Sequence, residues 1–207
     1  MTGLILAGGE NSRIGLNKAC LKLGDKTFIE HIIAALRPFC VEIIIVSNGE
    51  EEFSWLPGYR IIHTISKAGP MAGVWTGLNA ARTEFVFCAA CDIPFIHPGI
   101  VAEVISAIAP GIQAVVPKYR GFWEPLCAAY SKSCLQPIQD SLAQKDYKIL
   151  SIFEHLNVKE IEEAVLTKHD PEGYTFFNIN CLADYQRAKE IYCHQITRCN
   201  LAGNVAI

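Results

Sequence analysis

The chain has no uninterrupted apolar run near the ~18 residues of a membrane-spanning helix. Met1-Thr2-Gly3 leads straight into an apolar, strand-like segment with no basic stretch ahead of it. Such a start does not read as an export signal, and a cytoplasmic location is expected. Charge is sparse as well. Lys+Arg 18 against Asp+Glu 21 leave a net charge of −3 over 207 residues. That balance gives no general grip on nucleic acid, so neither nucleic acid nor membrane is an expected partner. A hydrophobic content of 51% excludes disorder for the body of the chain. Repeats and low-complexity linkers are absent too, and the length suits one domain with at most a small appendage.

Complete metal-ligand sets are also missing. Only Cys88 and Cys91 of the nine cysteines form a C-x-x-C, no second pair or C-x-x-H accompanies them, and no H-x-x-x-H occurs. Residues three apart on a strand point to opposite faces, which suits neither chelation nor a disulfide. The cysteines therefore read as reduced, mostly buried packing residues.

What is present is an alternation of strand-like and helix-like segments. Residues 2–7, 41–46, 60–63, 84–89 and 112–116 are apolar or β-branched runs. Residues 27–36, 73–81 and 98–108 carry helical spacing, with Pro38 as a stop and Pro98 in a first turn. This βαβα order predicts an α/β fold, a mostly parallel central sheet with helices on both faces. The second half is less regular. Strands are expected around the Glu124-Pro125 loop within 118–130, helices at 133–143 and 148–155, a strand at 158–161, and a closing helix at 182–192. Residues 193–207 lose periodicity and read as a tail. The resulting division is one domain over 1–192 with an appendage of 193–207.

Two segments carry chemistry. In LAGGENSRIGLNKACL, residues 6–21, a buried strand delivers the chain to Gly8 and Gly9, where the missing Cβ atoms permit close backbone approach to a ligand. Amides of such a loop can cradle phosphate oxygens, and Arg13 and Lys18 add a forked donor and a point charge. Neither the Walker G-K-[ST] nor the dinucleotide G-x-G-x-x-G is there. A plain glycine turn with two solvated cations fits the same residues. In VFCAACDIPF, Asp92 falls just past a buried strand, where open α/β sheets bind ligands. A carboxylate there can hold Mg²⁺ against phosphates or simply cap the next turn. Gly69, Gly73 and Gly77, with Pro70, suit either close approach of a nucleoside or a turn into a helix. Trp55, Trp75 and Trp123 suit core packing better than base stacking.

Taken in order, LAGGxxxRxGxxK, GPMAG, CDIPF, EPLCAAY and FNIN resemble the motifs of the molybdenum cofactor guanylyltransferases, over about residues 4–192. The resemblance implies a Rossmann-like three-layer α/β/α nucleotidyltransferase fold of the glycosyltransferase-A type. It implies transfer of GMP from GTP to molybdopterin with loss of pyrophosphate, and Mg²⁺ as cofactor. By position, Leu6, Ala7, Gly8, Gly9 and Gly69 would contact the nucleotide and Lys18 its phosphates. Asn48 would line the guanine–ribose side and Asp92 would bind the metal. Asn178 and Asn180 resemble residues near the molybdopterin phosphate and the metal, and Glu124 falls in the acceptor-side loop. Thr64 stands where an Asp commonly contacts the nucleoside, Asn17 where an Asp often precedes the lysine, and Ile14 where Met is common.

The resemblance divides the domain into a nucleotide half, about 1–110, and an acceptor half, about 111–192. Arg13, Lys18 and Asp92 are then the catalytic candidates, with no protein nucleophile needed. A molybdenum cofactor carrier or molybdoenzyme chaperone is a reasonable transient partner. Thr64 and Asn17 keep open a CTP- or sugar-phosphate-using enzyme of the same fold; a catalytically silent nucleotide-binding domain is a separate alternative, against which Lys18 and Asp92 stand.

Overall fold

The computed structural model describes residues 1–8, 18–47, 53, 55–56, 58–64 and 69–203, with side chains described as far as residue 197. The first half runs β1 (Thr2–Leu6), β2 (Lys22–Leu23), β3 (Lys26–Thr27), α1 (Phe28–Leu36), β4 (Glu42–Ser47), β5 (Arg60–His63), α2 (Gly69–Ala80), β6 (Phe85–Ala90) and α3 (Pro98–Ser106). The second continues with β7 (Ala114–Tyr119), β8 (Phe122–Trp123), β9 (Cys127–Ser131), α4 (Leu135–Ala143), β10 (Val158–Ile161), α5 (Glu163–His169) and α6 (Leu182–Gly203).

The main sheet has the order β10-β7-β9-β6-β1-β4-β5, with β8 paired to β7. β1 runs parallel to β4 and β6, β4 to β5, and β10 to β7, whereas β9 is antiparallel to both β6 and β7. The central sheet is therefore mixed but mostly parallel, as expected. Strand alternation sorts the core. Ile5, Ile43, Ile45, Phe87 and Val115 pack with α1, α3 and α5 on one face. Leu4, Ile44, Val46, Val86 and Val116 pack with α2 and α4 on the other. Continuous apolar runs make strands buried on both faces.

α1 starts where a capping box forms. The Glu30 amide donates to Thr27 Oγ1 (3.4 Å) and the Thr27 amide donates to Glu30 Oε2 (2.7 Å). Donation from the Thr27 amide, then from the Thr27 hydroxyl (2.7 Å), holds the Glu30 carboxyl below its usual range.

Several boundaries differ from expectation. α2 begins at Gly69 rather than 73, with Gly69 itself at φ +66, a conformation glycine adopts without strain. The 148–155 helix is a 3-10 helix, Ile149–His155. The closing helix runs on to Gly203, so residues 193–203 are helical rather than an irregular tail. α5 and the small β2–β3 hairpin were not anticipated.

Gly73 and Gly77 serve packing. A Cβ at Gly73 would lie 2.9 Å from Leu6 Cδ2, and one at Gly77 would strike both methyls of Leu4 and come within 2.9 Å of its Cγ. The glycines let α2 sit directly on β1, so no space for a nucleoside remains beside them. Turning Leu4 about χ2 leaves its Cγ in place, and a change of χ1 would have to be made in a fully buried side chain. Gly77→Ala is therefore expected to cost about 1–2 kcal/mol net, overpacking outweighing the helix propensity gained. Thermal melting would read this as a drop of about 2–8 °C.

The cysteines follow the alternation. Cys88 lies in the α2/α4-side core, and Cys91 packs against the α1/α3/α5 side. Burial pushes the Cys91 thiol up to about 12 and Cys88 higher, which suppresses the reactive thiolate.

Candidate active site

The ends of β1, β4, β5 and β6 meet along one edge. The Ala7 amide donates to the Val46 carbonyl (2.8 Å), Cys91 to Leu6 (3.0 Å) and Thr64 to Ser47 (3.0 Å), which carries the ladder just past the strands. Gly8, Thr64 and Asp92 are thereby delivered to the carboxyl ends of parallel strands, where ligand crevices form. Leu6 and Ala7 are buried and Gly8 is exposed. The Ala7 amide and the Leu6 carbonyl are already taken up in that ladder.

The FNIN segment joins this edge from far along the chain. The Ile179 amide donates to the Asp92 carbonyl (3.0 Å), and Ile179 itself is fully buried between exposed Asn178 and Asn180. Extended-chain alternation turns the apolar residue inward and both amides outward. Lys18, in a short 3-10 helix after the glycine loop, reaches the same point. Its Nζ donates to Asn180 Oδ1 (2.8 Å) and lies 3.4 Å from Asp92 Oδ2.

A third core cluster of Leu21, Leu23, Phe28, Ile179 and Ala188 holds the two segments together. Tyr185 of α6 extends this grip, donating its hydroxyl to the Lys22 carbonyl (2.8 Å). The short β2–β3 hairpin thus acts as a bracket between Lys18 and the start of α6.

Asp184 joins the candidate site without having been singled out in the sequence. It accepts from the amides of Asn180 (2.8 Å) and Cys181 (2.9 Å), which fixes the turn presenting the Asn180 side chain. Hydrogen bonding from the Cys181 thiol, then from the Asn180 amide, holds its carboxyl below the usual range. The available signal was an acidic residue in the first turn of a helix, where it satisfies free amides.

Glu124 follows β8 on the other side of β6. Its amide donates to the Pro117 carbonyl (2.9 Å), and nearby the Ala90 amide donates to Leu126 (3.0 Å). Burial pushes the Glu124 carboxyl up to about 7. The structure thus brings Lys18, Asp92 and Asn180 into direct contact and sets Gly8, Thr64 and Asn178 on the surrounding chain ends. Gly69 opens α2. Gly9, Arg13, Ile14, Asn17 and Asn48 lie outside the described residues.

Asp92 and Asn180 offer a carboxylate and an amide oxygen, both within reach of one ammonium. These are the hard oxygen donors that magnesium takes, usually with its remaining positions left to water and phosphate. The donor set fits that ion.

Comparison with known proteins agrees with this layout. Residues 3–161 match the family model described as the MobA-like NTP transferase domain. The molybdenum cofactor guanylyltransferase of Desulfosudis oleivorans is 33% identical over 190 residues, 91% of this chain and 94% of that protein. A probable molybdenum cofactor guanylyltransferase of Carboxydothermus hydrogenoformans is 34% identical over 193 residues, 93% of this chain and 96% of that one. The crystal structure of molybdopterin-guanine dinucleotide biosynthesis protein A from Archaeoglobus fulgidus superposes with a TM-score of 0.82 at 32% identity, covering 94% of this chain and 100% of that one. The chain belongs to the MobA-like NTP transferase family, with the molybdenum cofactor guanylyltransferases, and is a nucleotidyltransferase.

Proposed function

We propose that the chain transfers GMP from GTP to the phosphate of molybdopterin and releases pyrophosphate. The observation that carries this reading is the convergence of Lys18, Asp92 and Asn180 at the carboxyl edge of the sheet, Nζ lying 2.8 Å from Asn180 and 3.4 Å from Asp92. Three segments distant in sequence meet there, one from each phosphate-handling motif and one from the acceptor half. The nucleotide half is assigned to about 1–110, the acceptor half to about 111–192, and residues 193–207 to an appendage.

Both substrates are anionic, so the protein's main tasks are alignment and charge neutralisation. An acceptor phosphate oxygen attacks the α-phosphorus of GTP, a new P–O bond forms, and the bond to pyrophosphate breaks in line. Lys18, with Arg13 and the Gly8-Gly9 amides, stabilises charge gathering on the leaving pyrophosphate. Asn178 and Asn180 orient the acceptor phosphate. Asp92 and Asn180 would hold Mg²⁺, which when bound supplies positive charge to the phosphate oxygens. A phosphate monoester is already largely ionised near neutrality, so no protein base is required. A molybdenum cofactor carrier or molybdoenzyme chaperone completes the proposal as a transient partner.

One feature supports a second reading. Thr64, at the end of β5, offers a hydroxyl where a carboxylate would read the N–H edge of guanine, which keeps a CTP-using enzyme in play. Thermal shift separates the two. Mg²⁺–GTP at about 100 times its dissociation constant should stabilise by about 2.7 kcal/mol. That corresponds to a rise of about 5–10 °C, with Mg²⁺–CTP giving little. An equal or larger shift with CTP would overturn the guanine assignment.

A further inference from the structure

The contact of Lys18 with Asp92 and Asn180 requires two loops to lie side by side, residues 92–97 after β6 and 174–180 before α6. One backbone bond joins them next to Lys18, from the Ile179 amide to the Asp92 carbonyl (3.0 Å). From there the two stretches run antiparallel, and at the far end Thr175 faces Phe95 and His97. The Thr175 hydroxyl accepts from the His97 amide (3.1 Å) and donates to the Phe95 carbonyl (3.4 Å). Phe95 and His97 follow Asp92 closely in the chain, just as Thr175 shortly precedes Asn178 and Asn180.

A side chain makes this second tie for a local reason. Pro94 and Pro98 bracket the first loop and remove two of its amides, which works against a regular ladder. The second loop is a 3-10 turn over Tyr174–Phe176. Backbone groups in such a place still need partners, and a hydroxyl can serve one donor and one acceptor together. Thr175 is fully buried, so its bonds are shielded from water. Its backbone is held from the other side. Residues 170–173 form a turn in which the Gly173 amide donates to the Asp170 carbonyl (3.0 Å) and Gly173 takes φ +70. The buried Asp170 carboxylate then accepts from the Thr175 amide (2.6 Å). Ring contacts flank the tie, Phe95 with Tyr174 at 6.4 Å between centroids and Tyr119 with Phe176 at 5.0 Å.

We infer that Thr175 is a positioning residue for nucleotidyl transfer. Its hydroxyl clamps the 174–180 segment to the Asp92 loop and thereby sets Asn180 against Lys18 and Asp92. The inference rests on the reading above, in which Asn180 acts on the phosphates; Thr175 itself touches none of the reacting groups. Without the hydroxyl the His97 amide loses its described partner, and the Asn180 side chain is free to shift. A displacement of about 1 Å in such a group can cost about 100-fold in rate.

Two substitutions separate positioning from stability. T175V keeps the shape and removes both hydroxyl bonds, whereas T175S keeps the hydroxyl and removes a buried methyl. Pyrophosphate release by the full chain is measured with Mg²⁺–GTP and acceptor, at a temperature where both variants are folded. T175V should lower kcat about 10- to 100-fold while KM for GTP stays within about twofold. T175S should melt lower than wild type yet turn over within about threefold of it. Equal losses of turnover in the two variants would overturn the inference, as would a T175V kcat close to that of wild type. On an N180A background T175V should cost little more, because Asn180 is the group through which Thr175 acts. Losses that multiply would also overturn it.

If wild type makes no dinucleotide, the parent reading fails on its own, and hydrogen exchange then decides the clamp. T175V should speed exchange of the Ile179 amide by about 10-fold or more relative to the amides of β4, and T175S should not. An Ile179 amide that exchanges no faster, or only as much faster as β4, would overturn the inference. Should T175V fail to fold, T175C carries the same measurements, since its thiol fills the space with a much weaker hydrogen-bonding group.

Discussion

Asp92→Asn should lower kcat by about 10²–10³-fold while leaving the fold intact. The substitution keeps the size and shape of the side chain and removes its charge. The charge matters because Asp92 stands at the end of β6, directly beside Lys18 and across from Asn180. With an amide in its place the site loses its one described carboxylate donor for a hard cation, and the phosphates lose the charge that cation would bring. Stability should change little. The Asp92 and Lys18 side chains are each 22% exposed, and an ion pair that open to water contributes at most about 1 kcal/mol. Pyrophosphate release measured beside a melting curve separates the two effects. Wild-type release by a folded Asp92→Asn variant would remove Asp92 from the phosphate chemistry.

Lys18→Ala should cost a comparable 10²–10³-fold in turnover. The ammonium is the one described cation at this point, and it touches residues from two other motifs. Lys18→Arg should recover only part of the loss, since a planar fork cannot replace a compact point charge between a carboxylate and an amide oxygen. Combining Lys18→Ala with Asp92→Asn is a sharper test. Groups that act on one transition state as a unit are strongly non-additive, so the double variant should be little worse than either single one. Losses that simply multiply would mean that the two residues act at separate steps.

Much of this site was legible because its parts are local. Gly8 follows a buried strand and Asp92 ends another, and both readings need only apolar runs followed by small or acidic residues. The strand at 158–161 and the capped helix beginning at Phe28 were legible for the same reason, since their signals lie within a few residues. Elements with weak local signals were not. β2 and β3 are two residues each, too short for any periodicity to register, and they exist because the Leu21, Leu23 and Phe28 cluster gives them something to pack on. The length of α6 escaped for a related reason. Residues 193–197 are mostly exposed, so helical geometry there leaves no apolar stripe to read.

Gly73 and Gly77 show how local signals mislead. Glycines near a presumed nucleotide site suggest room for a ligand, yet the room is taken by Leu6 and Leu4. Only the placement of α2 on β1 reveals it. Asp184 is the opposite case, an ordinary acidic residue in a first helical turn that positions the Asn180 side chain touching Lys18.

By itself, then, the sequence determined that the chain is an α/β domain with buried parallel strands ending in a glycine loop and an acidic turn, because burial and turn chemistry are properties of short segments. The tertiary structure alone decided that Lys18 and Asn180, 162 positions apart, share a hydrogen bond. Such contacts depend on strand order and on a third small core, and neither is encoded within the reach of a single helix or strand.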